Sequence, residues 1–266
     1  MNLYLHELKS LRKTTIIWTC AIIAVAVLYL SIYPGIFRDA TDFKKLIDKY
    51  PAPVRASLGL SIDSITSMLG YYSVIFLFIT LLGAIQAMNL GASIISKETR
   101  LRTSDFLLTK PISRISIISG KLMAALTAIL VTNVIYGITA FAVAVSVKTS
   151  DFSGKLFFMI TLTLLFIQLI FLAIGFFASV VIPKLKTVLP VSLGTVFGFF
   201  FIGMLLSTSK NDATRYLSPF KYFDTAFIIA HSSYEMPYII ASVVIIITAV
   251  TAGYIIYTKK DIHAVS

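Results

Sequence analysis

Six long stretches of this 266-residue chain carry no Asp, Glu, Lys, Arg or His. They lie near Thr14–Tyr33, Tyr71–Ile95, Leu122–Val147, Leu156–Ile182, Val188–Ser207 and Tyr238–Thr258. A helix needs about 20 apolar residues to cross roughly 30 Å of hydrocarbon, and each stretch meets that need. The rest of the composition agrees. Only 13% of the residues are charged, whereas a soluble domain carries about 25%. The first stretch reads as a span and not as a cleaved leader, because Tyr33-Pro34-Gly35 follows it in place of a small-residue cleavage site. The chain is expected to be an all-α integral membrane protein, a single membrane domain over 1–266 with six transmembrane helices.

The basic residues set the expected orientation. Thirteen of the 23 Lys and Arg residues fall at the N-terminus, in the second–third and fourth–fifth loops, and in the tail. This set is compressed into fewer residues and lies closer to span ends than the other, which places both termini in the cytoplasm. The net charge of +11 is spread over helix ends in several loops. Topology and anionic lipid account for it better than nucleic-acid binding does.

The flanking segments carry helical periodicity. Tyr4, Leu5, Leu8 and Leu11 share one face opposite His6, Lys9 and Lys13. That pattern reads as an amphipathic N-terminal helix at the interface or as a solvated extension of the first span. In the first long loop, Phe43, Leu46, Ile47 and Tyr50 predict an amphipathic helix ended by Pro51 and Pro53, and Asp63–Leu69 a second, shorter one. Cys20 lies inside the first stretch and reads as a small packing residue. His6, His231 and His263 are far apart, so no metal site is expected.

Two features inside the spans bear on packing and passage. Gly83, Ala87 and Gly91 repeat every fourth residue, and Gly194 and Gly198 form a GxxxG. Such stripes let helices approach closely, either within the chain or at a dimer seam. Gln86 and Asn89 need hydrogen-bond partners in lipid. They line a polar path or bond a neighbouring helix, and the sequence permits both.

Several function classes fit poorly. Ion-coupled carriers place ionisable groups inside the membrane, and these stretches have none. There is no HExxH, no GxSxG and no repeated filter sequence. A P-loop requires GxxxxGK[ST]. At Gly120-Lys121 and Gly154-Lys155 the upstream positions are Ile115 and Thr149. Energy for uphill transport must then come from another chain.

The loop after the second stretch is the most specific segment. It reads Ser96-Lys97-Glu98-Thr99-Arg100-Leu101-Arg102-Thr103-Ser104-Asp105-Phe106-Leu107-Leu108-Thr109-Lys110-Pro111-Ile112-Ser113-Arg114 and runs on to Gly120-Lys121. Pro111 marks a helix boundary and Ser113 can cap the helix that follows. Phe106, Leu107 and Leu108 give a short helix an apolar patch beside Arg100 and Arg102, suited to docking in a partner's groove. An alternative is a solvated loop resting on headgroups.

This loop resembles that of the type-two ABC permease family, the membrane subunits of many bacterial ABC exporters. Glu98, Thr103, Phe106-Leu107-Leu108, Pro111-Ile112-Ser113-Arg114 and Gly120-Lys121 carry the resemblance, together with Leu217-Ser218-Pro219-Phe220-Lys221-Tyr222-Phe223 before the last stretch. The resemblance implies a permease subunit in a bacterial cell membrane that moves its substrate outward, and apolar spans without charge lean towards hydrophobic or amphipathic cargo such as a peptide, an antibiotic or a lipid. It implies two ATP-binding ABC subunits, a second permease copy or a homologous permease, and contact with membrane lipid. ATP and magnesium would sit on the partner ATPase, and this chain would bind no cofactor. Glu98, Arg102, Thr103, Phe106, Leu107, Leu108, Pro111, Ser113 and Arg114 would form the coupling element. The competing reading is a membrane scaffold or sensor that transports nothing.

Overall fold

The computed structural model describes residues 3–38, 67–101, 113–182, 187–206 and 212–259. All regular structure among them is helical. The long helices are α1 (Leu3–Arg38), α2 (Met68–Leu101), α3 (Arg114–Val147), α4 (Gly154–Val181) and α5 (Val188–Leu206), followed by a short α6 (Thr225–His231) and a long α7 (Met236–Lys259). All but α6 are long and apolar enough to cross a membrane. Lipid offers no hydrogen bonds, so a spanning backbone must satisfy its own N–H and C=O groups, and the helix does that within one segment. The helix predicted at Phe43–Tyr50 and most of the one predicted at Asp63–Leu69 lie outside the described residues.

The helices begin where side chains replace missing backbone partners. Ser113 Oγ accepts from Ser116 N at 3.2 Å and opens α3, and Ser153 Oγ accepts from Leu156 N at 3.4 Å and opens α4. α1 is continuous from Leu3 through Arg38, so the N-terminal amphipathic segment and the first span share one helix. α3 likewise begins before the expected span, and Gly120 and Lys121 sit in its second turn.

α2 and α4 form the centre of the bundle and make its most extensive contact. In their most apolar windows 67% and 61% of residues are buried, against 11% in α7. α1 lies chiefly on α3, α7 on α4, and α5 on α2. Because α1 is peripheral, Cys20 is exposed on its surface and is not the packing residue expected from sequence.

Glycine sets the spacing at the α2–α4 crossing. A Cβ added to Gly175 would lie 2.6 Å from Met88 O and 3.2 Å from Gly91 Cα, and one on Gly91 would overlap Leu172 O. The two backbones are therefore in direct contact. Ala87 is fully buried, and a Cβ on Gly83 would come within 2.5 Å of Leu164 Cδ1. The stripe on α2 thus packs within the chain. The GxxxG of α5 differs, since a Cβ on Gly194 or Gly198 would meet nothing within 4 Å.

Between α5 and α7 the chain folds back on the bundle. It forms 3₁₀ turns at Asp212–Leu217 and Pro219–Lys221 before α6. Ser218 Oγ donates to Phe199 O at 2.7 Å. Phe220 stacks near Phe171 with ring centroids 5.2 Å apart, and Phe223 near Phe166 at 5.3 Å. Asp224 caps α6 through Ala226 N at 2.8 Å. Ser232, in the left-handed region at φ 52°, ends it by donating its N–H to Ile228 O.

The crossing predicts an asymmetric response to added methyl groups. Gly175→Ala should destabilise the protein by about 1–3 kcal/mol through overpacking. Gly198→Ala should stay within about 0.5 kcal/mol of the parent. Thermal unfolding of both variants in detergent checks the pair, and equal midpoints would contradict the backbone contact.

Candidate functional site

Two sets of polar residues lie inside the bundle. The first sits near mid-length of four helices. Gln86 Nε2 on α2 donates to Thr132 Oγ1 on α3 at 3.0 Å, and Gln168 Nε2 on α4 donates to Gln86 Oε1 at 3.0 Å. Asn133 Nδ2 donates to Gln168 Oε1 and to Ile129 O. Thr132 Oγ1 donates its one hydrogen to Ala128 O at 3.0 Å. The 2.8 Å contact between Thr19 of α1 and Thr132 then has Thr19 as donor, since a hydroxyl carries one proton. The chain of bonds joins α1, α2, α3 and α4 and ends on a backbone carbonyl. Gln86, Thr132 and Gln168 are fully buried, and Gln86 bonds neighbouring helices. Asn89 is half-buried, and its carbonyl accepts from Ser93 Oγ at 2.6 Å.

The second set lies nearer the start of α2. Thr161 Oγ1 donates to Phe157 O, so Tyr72 OH donates to Thr161 at 2.9 Å and Tyr136 OH donates to Tyr72 at 2.6 Å. This second chain joins α2, α3 and α4. Its aromatic rings fill the surrounding core, with Tyr72 stacked on Phe157 at 4.2 Å.

At the end of the bundle that carries the N-terminus, three helices meet around the start of α3. Lys121 Nζ donates to Glu7 Oε1 at 3.1 Å, with side-chain exposures of 5% and 14%. Leu3 packs over Gly120, where a Cβ would lie 3.3 Å from Leu3 Cδ2. Tyr4 OH bonds Thr127 Oγ1 at 3.0 Å, and Ser119 Oγ bonds Tyr254 OH of α7 at 2.8 Å. A buried lysine is tolerated because its carboxylate partner offsets part of the desolvation cost. Sequence reading counted Lys121 among loop cations and missed the pair, although Glu7 is the only acidic residue before the first span.

The expected coupling element divides at the limits of the described residues. α2 continues to Leu101, so Glu98 belongs to its last turn. Arg102, Thr103, Phe106, Leu107, Leu108 and Pro111 lie outside the described residues. Ser113 caps α3, and Arg114 is its first residue. The two flanks of the loop therefore lead into the central helix α2 and the anchored start of α3.

On the opposite end of the bundle, Arg215 makes a forked pair with Glu235, with Nη1 to Oε1 at 2.9 Å and Nη2 to Oε2 at 2.5 Å. The guanidinium lies 4.1 Å over the Tyr238 ring. Burial opposes the charge on Arg215, but Glu235, with smaller contributions from Tyr238 and Asp224, holds its pKa above the ordinary arginine value.

Fold and interior together define a polytopic α-helical membrane protein whose buried polar groups, among the described residues and Lys121 apart, are amides and hydroxyls. The family model of ABC-2 family transporter proteins matches residues 1–262, and the chain belongs to that family. No curated protein matches it. Membership makes the chain the membrane subunit of an ABC transporter. That subunit is not itself catalytic, and it associates with ATP-binding ABC subunits.

The amide chain predicts energetic coupling between α2 and α4. In a double-mutant cycle with Gln86→Leu and Gln168→Leu, the coupling energy should be about 1 kcal/mol, in the upper part of the range for membrane hydrogen bonds. Unfolding of the four proteins in mixed micelles measures it, and strictly additive losses would contradict the bond.

Proposed function

We propose that the chain is the permease of an ATP-driven exporter that carries a hydrophobic or amphipathic substrate, such as a peptide, an antibiotic or a lipid, across a bacterial cell membrane. Two copies of the chain, or this chain and a homologous permease, pair with two ATPase subunits, and ATP with magnesium binds on those partners. The observation that carries this reading is the family match along residues 1–262. The absence of carboxylates from the six apolar stretches supports an external energy source over ion coupling. No specific observation favours a non-transporting scaffold.

In this reading both termini are cytoplasmic, and the segment Glu98–Arg114 transmits closure of the ATPases. Support comes from its flanks. A displacement delivered at Ser113 acts on α3, whose first turns are tied to α1 through Glu7 and Tyr4 and to α7 through Tyr254. One contact can then bias three spanning helices together. The coupling requires that the inward-facing and outward-facing states bind the ATPases with different free energy.

Two experiments test this function. Single cysteines at Lys45 and Asn211, in a Cys20→Ser background, should react with an impermeant reagent on intact cells, and one at Thr103 should not. Reaction at Thr103 from outside reverses the orientation. Separately, Phe106→Ala should weaken ATPase association by about 2 kcal/mol, roughly 30-fold, if an aromatic anchor dominates the interface. Glu98→Gln should lower substrate-stimulated hydrolysis. Co-purification and hydrolysis assays on membrane-inserted variants check both, and full retention of both removes the loop from the coupling path.

A further inference from the structure

The segment Leu217–Phe223, which the sequence singles out before the last span, presents a cation that the fold leaves unused. Its neighbours are already committed. Glu235 is forked onto Arg215, Asp224 caps α6 through Ala226 N, and Arg215 also donates Nε and Nη2 to the Lys221 carbonyl at 3.2 and 3.1 Å. The Lys221 backbone is therefore held in place from both sides, since its own N–H donates to Ser218 O at 2.9 Å. Its ammonium makes no hydrogen bond or ion pair among the described residues.

Lys221 has apolar side chains beside it and also feels the charges of Asp224 and Arg215. Lys221 borders a small recess whose other walls are Leu77 of α2, Phe200 and Met204 of α5, and Phe220. The stem lies against α5, with Lys221 Cγ 3.5 Å from the position a Cβ on Gly203 would occupy, while Ser218 Oγ, at 2.7 Å, is the atom that needs the bare glycine. Burial lowers the Lys221 pKa, Asp224 acts against that shift, and Arg215 adds to it. An unpaired cation beside aliphatic and aromatic walls is costly unless a ligand completes it. The matching chemistry is an anion attached to an alkyl chain.

We propose that Lys221 holds the phosphate head of an anionic amphiphile whose alkyl chain lies against Leu77 of α2 and Phe200 and Met204 of α5. The site depends on the six helices spanning a membrane. It depends neither on the direction of transport nor on ATP coupling, so its test is independent of both.

The experiment uses the full chain in detergent, with dioleoyl phosphatidylglycerol or dioleoyl phosphatidylcholine added, and native mass spectrometry to count retained lipid. The parent should retain phosphatidylglycerol preferentially. Lys221→Gln should cut that retention about tenfold, the scale of one charged hydrogen bond, and Lys221→Arg should preserve it. Lys155→Gln serves as a control, since Lys155 is an exposed lysine at the start of α4. It should change nothing. Removing an unpaired ammonium should not lower the unfolding midpoint, so Lys221→Gln should be at least as stable as the parent. The proposal is overturned if Lys221→Gln retains phosphatidylglycerol like the parent, or if Lys155→Gln loses as much. Displacement of the lipid by equimolar inorganic phosphate overturns it too, because the site then takes a free anion. A lower midpoint for Lys221→Gln shows that the ammonium already had a partner and equally ends it.

Discussion

The contact between Gly91 and Gly175 is the constraint on which the rest of the bundle depends. In lipid there is no hydrophobic gain from pressing two apolar helices together, so close packing and internal hydrogen bonds must hold them. A side chain at either glycine would push α2 and α4 apart, because the opposing atoms are backbone and cannot rotate away. The same close approach governs the amide network. A Cβ on Gly83 would lie 3.2 Å from Gln168 Nε2, so the bare backbone there leaves room for Gln168 to reach Gln86.

The polar groups have a consistent logic. Each of the two buried chains uses donors and acceptors of spanning side chains and terminates on a carbonyl, at Ala128 and at Phe157. An unsatisfied amide in hydrocarbon would cost several kcal/mol. These networks specify which helix faces meet, and they place no charge in the interior to slow a change of state. Charges occur instead at the two ends. Glu7–Lys121 ties the start of α1 to the start of α3, and Arg215–Glu235 braces the loop that precedes α7. For a protein of the ABC-2 family this arrangement leaves a core held by neutral bonds between two charged, anchored ends.

Much of the architecture is legible in the sequence because lipid imposes so simple a rule. Six charge-free stretches announce six helices, and the Gly83–Ala87–Gly91 spacing announces a face for close packing. The site was less legible. Gln86 and Asn89 look alike in the sequence, yet the Gln86 amide bonds α3 and α4 while Asn89 is half-buried and its backbone carbonyl accepts from Ser93 within α2. Gln168, Asn133, Thr132 and Thr19 carried the same signal, a polar side chain in an apolar run, and were passed over because pairing depends on relative rotation of helices. Gly175 was missed for the same reason, since it has no stripe of its own and matters only through what faces it.

The sequence by itself determined that this chain lives in a membrane, that it crosses with helices, and that it lacks the GxxxxGK[ST] pattern. Each of these follows from local composition, because hydrocarbon length and backbone satisfaction act on one segment at a time. Only the tertiary structure decided that α2 and α4 are central and α1, α5 and α7 peripheral. It also decided that Lys121 is the buried partner of Glu7, and that Gly83 and Gly91 of α2 meet α4 while Gly194 and Gly198 of α5 face no atom. Those outcomes depend on the azimuth and depth at which separate helices meet. No single segment encodes that geometry; it emerges when backbone contact, amide pairing and the two end-charge pairs are satisfied together.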